Sequence, residues 1–104
     1  IFQPHRYTRT AQLYDEFVDV LYKVDSLILL DIYSASEEPI KGITSRALAE
    51  TIKQQGHKNV LHVKNHDDLL DFIKEKKDLF DVIVTQGAGS ISKVCESIIR
   101  RWKI

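Results

Sequence analysis

The chain has 104 residues, 43% of them hydrophobic and 29% charged, with 15 basic and 15 acidic side chains. This length and composition fit one compact globular domain. The balanced charge argues against a general nucleic-acid or membrane-surface role, and no apolar run approaches the ~20 residues that span a bilayer. The single cysteine excludes an internal disulfide, so a reducing cytoplasm is the expected setting.

The first half of the chain alternates between strand and helix patterns. It opens with Ile1-Phe2-Gln3-Pro4, without an initiator Met or a signal peptide. We therefore expect the end of a strand that begins upstream, in a fragment of a longer protein. The apolar spacing from Leu13 to Leu21 predicts a helix with Thr8 or Thr10 as its N-cap. The run Ser26–Asp31 is typical of a strand buried on both faces.

The second half repeats this alternation after an irregular stretch that ends at Thr44. Ser45 opens a second helix, and Gly56 closes it in a left-handed conformation. A strand is predicted at residues 60–63, and Asn65 and Asp68 form an N-cap pair for the third helix. A fourth strand is predicted at residues 81–85, before a glycine turn and a last helix. The apolar face of that helix is predicted to contain Ile91, Val94, Cys95, Ile98, Ile99 and Trp102.

This order of elements predicts an α/β domain over residues 1–104, with a Rossmann-like, mostly parallel sheet and helices on both faces. Ligands of such sheets bind at the carboxyl ends of the strands. Three loops are expected at that edge, over residues 3–9, 32–44 and 86–90. We expect the strands that contain Phe2 and Thr85 to be neighbours, which would place the first and last loops side by side.

The first loop carries His5, Arg6 and Arg9 where a strand passes into a helix. A helix N-terminus is already partly positive, so two guanidinium groups there lower stability unless an anion is held nearby. Arginine also offers a planar set of donors for carboxylate or phosphate. Two interpretations remain open, an anion-binding cradle or a solvated basic turn paired with Asp15 or Glu16.

The other two loops carry weaker signals. Gly87 and Gly89 form only part of a dinucleotide-binding pattern, without the Lys-Ser/Thr of a P-loop, and a tight turn capped by Ser90 explains them as well. Asp31 and Glu37 are candidates for binding an ammonium group or positioning water, or are solvent-facing acids.

No metal site is expected from the remaining histidines and the cysteine. The spacing of His57, His62 and His66 fits no standard metal motif. Cys95 lies on an apolar helix face, which favours a packed thiol over a nucleophile.

Three segments also resemble a known family. They are FQPHRYTRT at residues 2–10, DIYSASEEPIKGITSRAL at residues 31–48 and TQGAGSI at residues 85–91. In this order they resemble the C-terminal domain of UDP-N-acetylmuramate–L-alanine ligases, which are Mur ligases. The family commonly has glycine where Ser36 stands, and often a small acidic or amide residue where Ser90 stands.

The resemblance implies a three-domain, cytoplasmic enzyme of peptidoglycan synthesis. One domain holds the UDP sugar, a central P-loop domain holds ATP and magnesium, and this domain closes over them with the amino acid. The implied reaction transfers the γ-phosphoryl group of ATP to the muramate carboxylate, and the amine of L-alanine then attacks the acyl phosphate. Neither of the other domains is present in this sequence. We therefore expect the fragment to be inactive alone and to hold no cofactor.

The resemblance also assigns residues to the amino-acid side of the reaction. It implies that His5, Arg6 and Arg9 hold the alanine carboxylate and the reacting anion. Tyr33 and Glu37 are second candidates for the amino-acid pocket, and Gly87 and Gly89 shape their loop. No catalytic residue or metal ligand is assigned within the chain. The alternative from another class is a non-catalytic α/β module that binds or senses an anion.

Overall fold

The computed structural model describes the backbone of residues 1–102 and the side chains of residues 1–101. Its sheet has four parallel strands in the order β3-β2-β1-β4, namely β1 (Phe2–Gln3), β2 (Leu27–Leu30), β3 (Val60–Val63) and β4 (Gln86–Gly87). The helices are α1 (Tyr7–Gln12), α2 (Tyr14–Leu21), α3 (Ser45–Gln54), α4 (His66–Lys76) and α5 (Ile91–Trp102), with a short 3-10 turn at Lys77–Leu79. The predicted fold class is confirmed.

Strand β2 lies inside the sheet and divides the core in two. Leu27 and Leu29 pack against α2 and α3 on one face. Ile28 and Leu30 pack against α4 and α5 on the other. Burying one such side chain stabilises the fold by roughly 1.5–3 kcal/mol, which explains why this strand is apolar throughout.

Two helices begin close to their predicted positions. The side chain of Thr44 accepts a hydrogen bond from the Ala47 N–H at the start of α3, at 3.0 Å. The Asn65 side chain accepts one from the Asp68 N–H at 2.9 Å, so the predicted N-cap pair is confirmed. Gly56 has a φ of 108°, as expected for the residue that ends α3.

The first predicted helix is wrong in two respects. It is broken at Leu13, whose φ of −105° and ψ of 16° separate α1 from α2. Its N-cap is Arg6 instead of Thr8 or Thr10. The hydroxyl of Thr10 donates to the Arg6 carbonyl, while that of Thr8 donates to Glu37 on another loop. Both threonines therefore have partners that the local sequence does not reveal.

The fourth strand was predicted too early, at residues 81–85. The α-amino group of Ile1 donates to the Val84 carbonyl, and the Gln86 N–H donates to the Ile1 carbonyl. The pairing with β1 therefore starts at Val84 and is regular only at Gln86 and Gly87. Val82 and Val84 are 77% and 63% exposed beside a groove of about 540 Å³.

The last helix packs mainly as expected. Ile91, Val94 and Ile98 are buried in the core, and Cys95 is partly buried. Ile99 is 52% exposed, so its predicted place on the buried face is wrong. Trp102 belongs to the helix, but its predicted packing lies outside the described side chains. Within residues 1–102, no helix combines the length and apolarity needed to cross a membrane.

Candidate functional site

The carboxyl ends of β1, β2 and β4 bring the three predicted loops together. Phe2 pairs with Gln86 and Gln3 pairs with Gly87, so the expected neighbourhood of these strands is confirmed. On the other side of β1, an isolated bridge joins His5 to Tyr33 beyond the regular pairing with β2. The first loop therefore lies between the other two, as expected where a doubly wound sheet reverses its strand order.

The ring of Tyr33 links the three loops through its two neighbours. It stacks on the His5 imidazole, with centroids 5.6 Å apart and ring planes 11° apart. It also covers Gly89, where an added Cβ would lie 2.9 Å from the Tyr33 Cδ2 atom. Glycine is needed there both for its φ of 81° and for the space that the ring occupies.

Gly87 has a steric role of its own. Its φ is 148°, and a Cβ at this position would lie 2.6 Å from the Gln3 carbonyl oxygen. Only glycine allows β4 to approach β1 this closely. The two glycines of the last loop therefore shape its backbone against the first and middle loops.

Arg6 forms a strained corner between His5 and α1. Its φ of 71° is uncommon for a residue with a side chain. The Arg6 N–H donates to the Tyr33 carbonyl at 2.7 Å, and the Arg6 carbonyl accepts from the N–H and the hydroxyl of Thr10. Backbone strain of this kind costs about 1–3 kcal/mol and is held by surrounding contacts, often at functional sites.

Glu37 reaches from the middle loop to the first turn of α1. Its two carboxylate oxygens accept from the Thr8 N–H at 3.1 Å and from the Thr8 hydroxyl at 2.6 Å. These hydrogen bonds lower the pKa of the Glu37 carboxyl from its usual value, and the charge of Arg6 acts in the same direction. The local sequence gives no signal for this contact, because 29 residues separate the partners.

The side chains of Arg6 and Arg9 are exposed. Within residues 1–102, no carboxylate forms an ion pair with either arginine, including Asp15 and Glu16. The pairing with Asp15 or Glu16 in the second interpretation is therefore absent, whereas the exposure of the turn agrees with both interpretations. Two unpaired arginines beside a stacked histidine provide a surface that suits an anionic ligand.

Asp31 and Gln3 lie at the same edge but have internal contacts. The Asp31 carboxylate contacts His62 Nε2 at 2.6 Å, which accounts for a histidine inside β3. The Gln3 side-chain N–H donates to the Asp31 carbonyl, whereas the buried Gln3 Oε1 has no partner among the described residues. The signal in the sequence that points to Gln3 is an amide side chain at the end of a short apolar strand.

The remaining histidines form no common centre. His57 binds the Val24 carbonyl through Nε2 and the Asn59 N–H through Nδ1, and thus joins two turns at the opposite edge. Within the part of the chain that the structure describes, no three His, Cys, Asp or Glu side chains are grouped closely enough to hold a metal ion.

These features define a class of protein, an α/β domain with a basic, three-loop edge suited to an anion. The chain is 41% identical over 100 residues to a UDP-N-acetylmuramate–L-alanine ligase of Trichlorobacter lovleyi. Ligases of the same name from Geotalea uraniireducens and Syntrophus aciditrophicus are 43% and 42% identical over 102 and 103 residues. The resemblance to this family is therefore confirmed.

The aligned region covers nearly all of this chain but only a small part of each relative. It covers 96–99% of the chain but only 22% of each of these ligases, so the chain spans about a fifth of their length. No protein-family model matches the chain.

Proposed function

We propose that this chain is the C-terminal, amino-acid-side domain of an ATP-dependent ligase. The ligase joins L-alanine to UDP-N-acetylmuramate through an acyl phosphate, in the cytoplasm, during peptidoglycan synthesis. The observation that carries this proposal is the 41–43% identity to ligases of this name along nearly the whole chain. Since the chain spans a fifth of these relatives, it acts only together with the UDP-binding and ATP-binding domains.

The geometry of the loop edge supports the assignment of the ligand-binding groups. Arg6 and Arg9 bind the carboxylate of L-alanine and the reacting anion, and His5 adds a donor that Tyr33 orients by stacking. Charge-assisted hydrogen bonds of this kind contribute roughly 1.5–3 kcal/mol each. Their donors stabilise the tetrahedral intermediate, in which negative charge is concentrated.

ATP and magnesium belong to the rest of the ligase in this proposal. The loop Gln86–Ser90 lacks the Lys-Ser/Thr pair that a P-loop uses on phosphates and metal. Residues 1–102 also present no group of three carboxylate, imidazole or thiol ligands. The side chains of this chain therefore do not fit the nucleotide and its metal, so both are assigned to the rest of the ligase in this proposal.

The proposal is tested on the complete ligase that carries this chain. We expect phosphate release from ATP only when UDP-N-acetylmuramate and L-alanine are both supplied. Arg9→Ala should lower kcat/KM roughly tenfold to hundredfold, because one charge-assisted contact is lost. The matched control is Arg100→Ala, an exposed arginine in the last turn of α5, at the opposite end of that helix from the loop Gln86–Ser90.

Two results would overturn the proposal. Phosphate release that does not depend on L-alanine would refute the substrate assignment, and an Arg9→Ala variant as active as Arg100→Ala would refute the role of the basic loop. An isolated chain that binds inorganic phosphate tightly, from a complete protein without ligase activity, would instead support a non-catalytic anion-binding module.

A further inference from the structure

We propose that Glu37 is a positioning residue, which fixes α1 through Thr8 so that Arg6 and Arg9 meet the ligand without a direct ion pair to this acid. This inference rests on the proposed function and refines it. Glu37 then acts on the amino acid through the first loop, without touching the substrate itself.

The Glu37 carboxylate is bound by Thr8 within the chain. Both of its carboxylate oxygens are engaged by Thr8, one by the N–H and one by the hydroxyl. These two hydrogen bonds orient the carboxylate toward the first turn of α1. The described contacts of Glu37 therefore hold this turn.

The strained backbone at Arg6 is held in place by contacts from the middle loop. A φ of 71° persists only where neighbouring contacts over-determine the backbone. The middle loop supplies them on both sides of this corner, through the Tyr33 carbonyl on the Arg6 N–H and through Glu37 on Thr8. Removing Glu37 leaves the middle loop in contact with only one side of this corner, so the directions of both guanidinium groups become less defined.

Within residues 1–102, the negative charge of Glu37 is not used in an ion pair with the arginines of the first loop. The charge of Arg6 acts on the Glu37 carboxyl, yet no ion pair joins Glu37 to Arg6 or Arg9 among the described residues. The Glu37 carboxylate therefore orders the loop through Thr8 without a direct contact to either guanidinium group. A direct pair with Arg6 or Arg9 would instead place an internal anion in competition with the ligand.

The contact itself is tested by amide hydrogen exchange on this chain. Glu37→Ala should accelerate exchange of the Thr8 amide roughly tenfold or more, since its acceptor is a charged group. Glu38→Ala removes a neighbouring exposed acid and should leave Thr8 unchanged. Unchanged Thr8 exchange in Glu37→Ala would overturn the proposal.

The positioning role is tested by kinetics of the complete ligase. Glu37→Ala removes both hydrogen bonds and should raise KM for L-alanine roughly tenfold, while Thr8→Val removes only the hydroxyl bond and should raise it by a smaller factor. KM for ATP should be unchanged in both variants. Thr8→Ser keeps the hydroxyl and should restore the wild-type KM. Equal melting temperatures of Thr8→Val and Thr8→Ser would separate this effect from a loss of folding.

The outcomes distinguish the role of Glu37 from the proposed function. A raised KM in Glu37→Ala with a normal KM in Thr8→Val would mean that Glu37 binds the amino acid directly, and would overturn the positioning role. Wild-type KM in both variants would overturn it as well. A wild-type protein that forms no product would refute the ligase assignment, and this inference with it.

Discussion

Replacing Gly89 by alanine is the most direct test of the loop junction at Tyr33. The chain provides a matched control in Gly42, because the two glycines have nearly equal φ angles of 81° and 84°. A Cβ at Gly89 would lie 2.9 Å from the Tyr33 ring, whereas a Cβ at Gly42 has no heavy atom within 4 Å. Both substitutions strain the backbone, but only the first meets a neighbour.

The expected loss of stability has two contributions, the strain of the left-handed backbone and the contact with the Tyr33 ring. Placing a side chain in the left-handed region costs about 1–2 kcal/mol, which applies to both variants. Forcing the packed Tyr33 ring to move adds about 1–3 kcal/mol to Gly89→Ala alone. Urea unfolding followed by far-UV circular dichroism measures the difference between the two variants. In a Tyr33→Ala background the added term should vanish, because the ring is gone.

Two results would refute the reasoning about this junction. One is an equal loss of stability, within about 0.5 kcal/mol, for Gly89→Ala and Gly42→Ala. The other is a cost of Gly89→Ala that persists in full without the Tyr33 ring. Either result would mean that Tyr33 does not pack against the last loop as described.

Three further predictions concern single residues. Hydrogen bonds hold the pKa of the Glu37 carboxyl below its usual value. The stability that ionised Glu37 contributes is therefore fully present above the usual pKa and is lost as pH falls through the lowered pKa. A curve of Tm against pH should show this loss on its acid side in the wild type but not in Glu37→Gln. Ser36→Gly should raise the free energy of unfolding by up to about 1 kcal/mol, because Ser36 has a φ of 71°; no gain in urea unfolding would contradict this. Thr44→Ala should cost about 1 kcal/mol in the same assay by removing the N-cap of α3, and Thr44→Ser should retain most of it.

The features predicted correctly from the sequence are those with local causes. Apolar runs and helical spacing reveal which residues must be buried, and β2 has this form throughout. The N-cap at Asn65 and the helix end at Gly56 depend on residues within one turn. The adjacency of β1 and β4 follows from the general topology of doubly wound sheets.

The errors lie where distant contacts decide the structure. Thr8 and Thr10 have the composition of N-caps, but the fold gives them other partners. Residues 81–85 have a strand sequence, but the regular pairing with β1 falls on Gln86 and Gly87. The contact between Glu37 and Thr8 and the stacking of Tyr33 on His5 join separate loops, so neither has a signal in one segment.

The uncovered valines at residues 82 and 84 have a consequence for the behaviour of the chain in solution. They lie in the segment that leads into β4, a strand at the border of the sheet. Exposed apolar side chains beside an edge strand favour the addition of another chain to the sheet. Concentrated samples of this domain by itself are therefore prone to self-association, and a lysine at either position would oppose it.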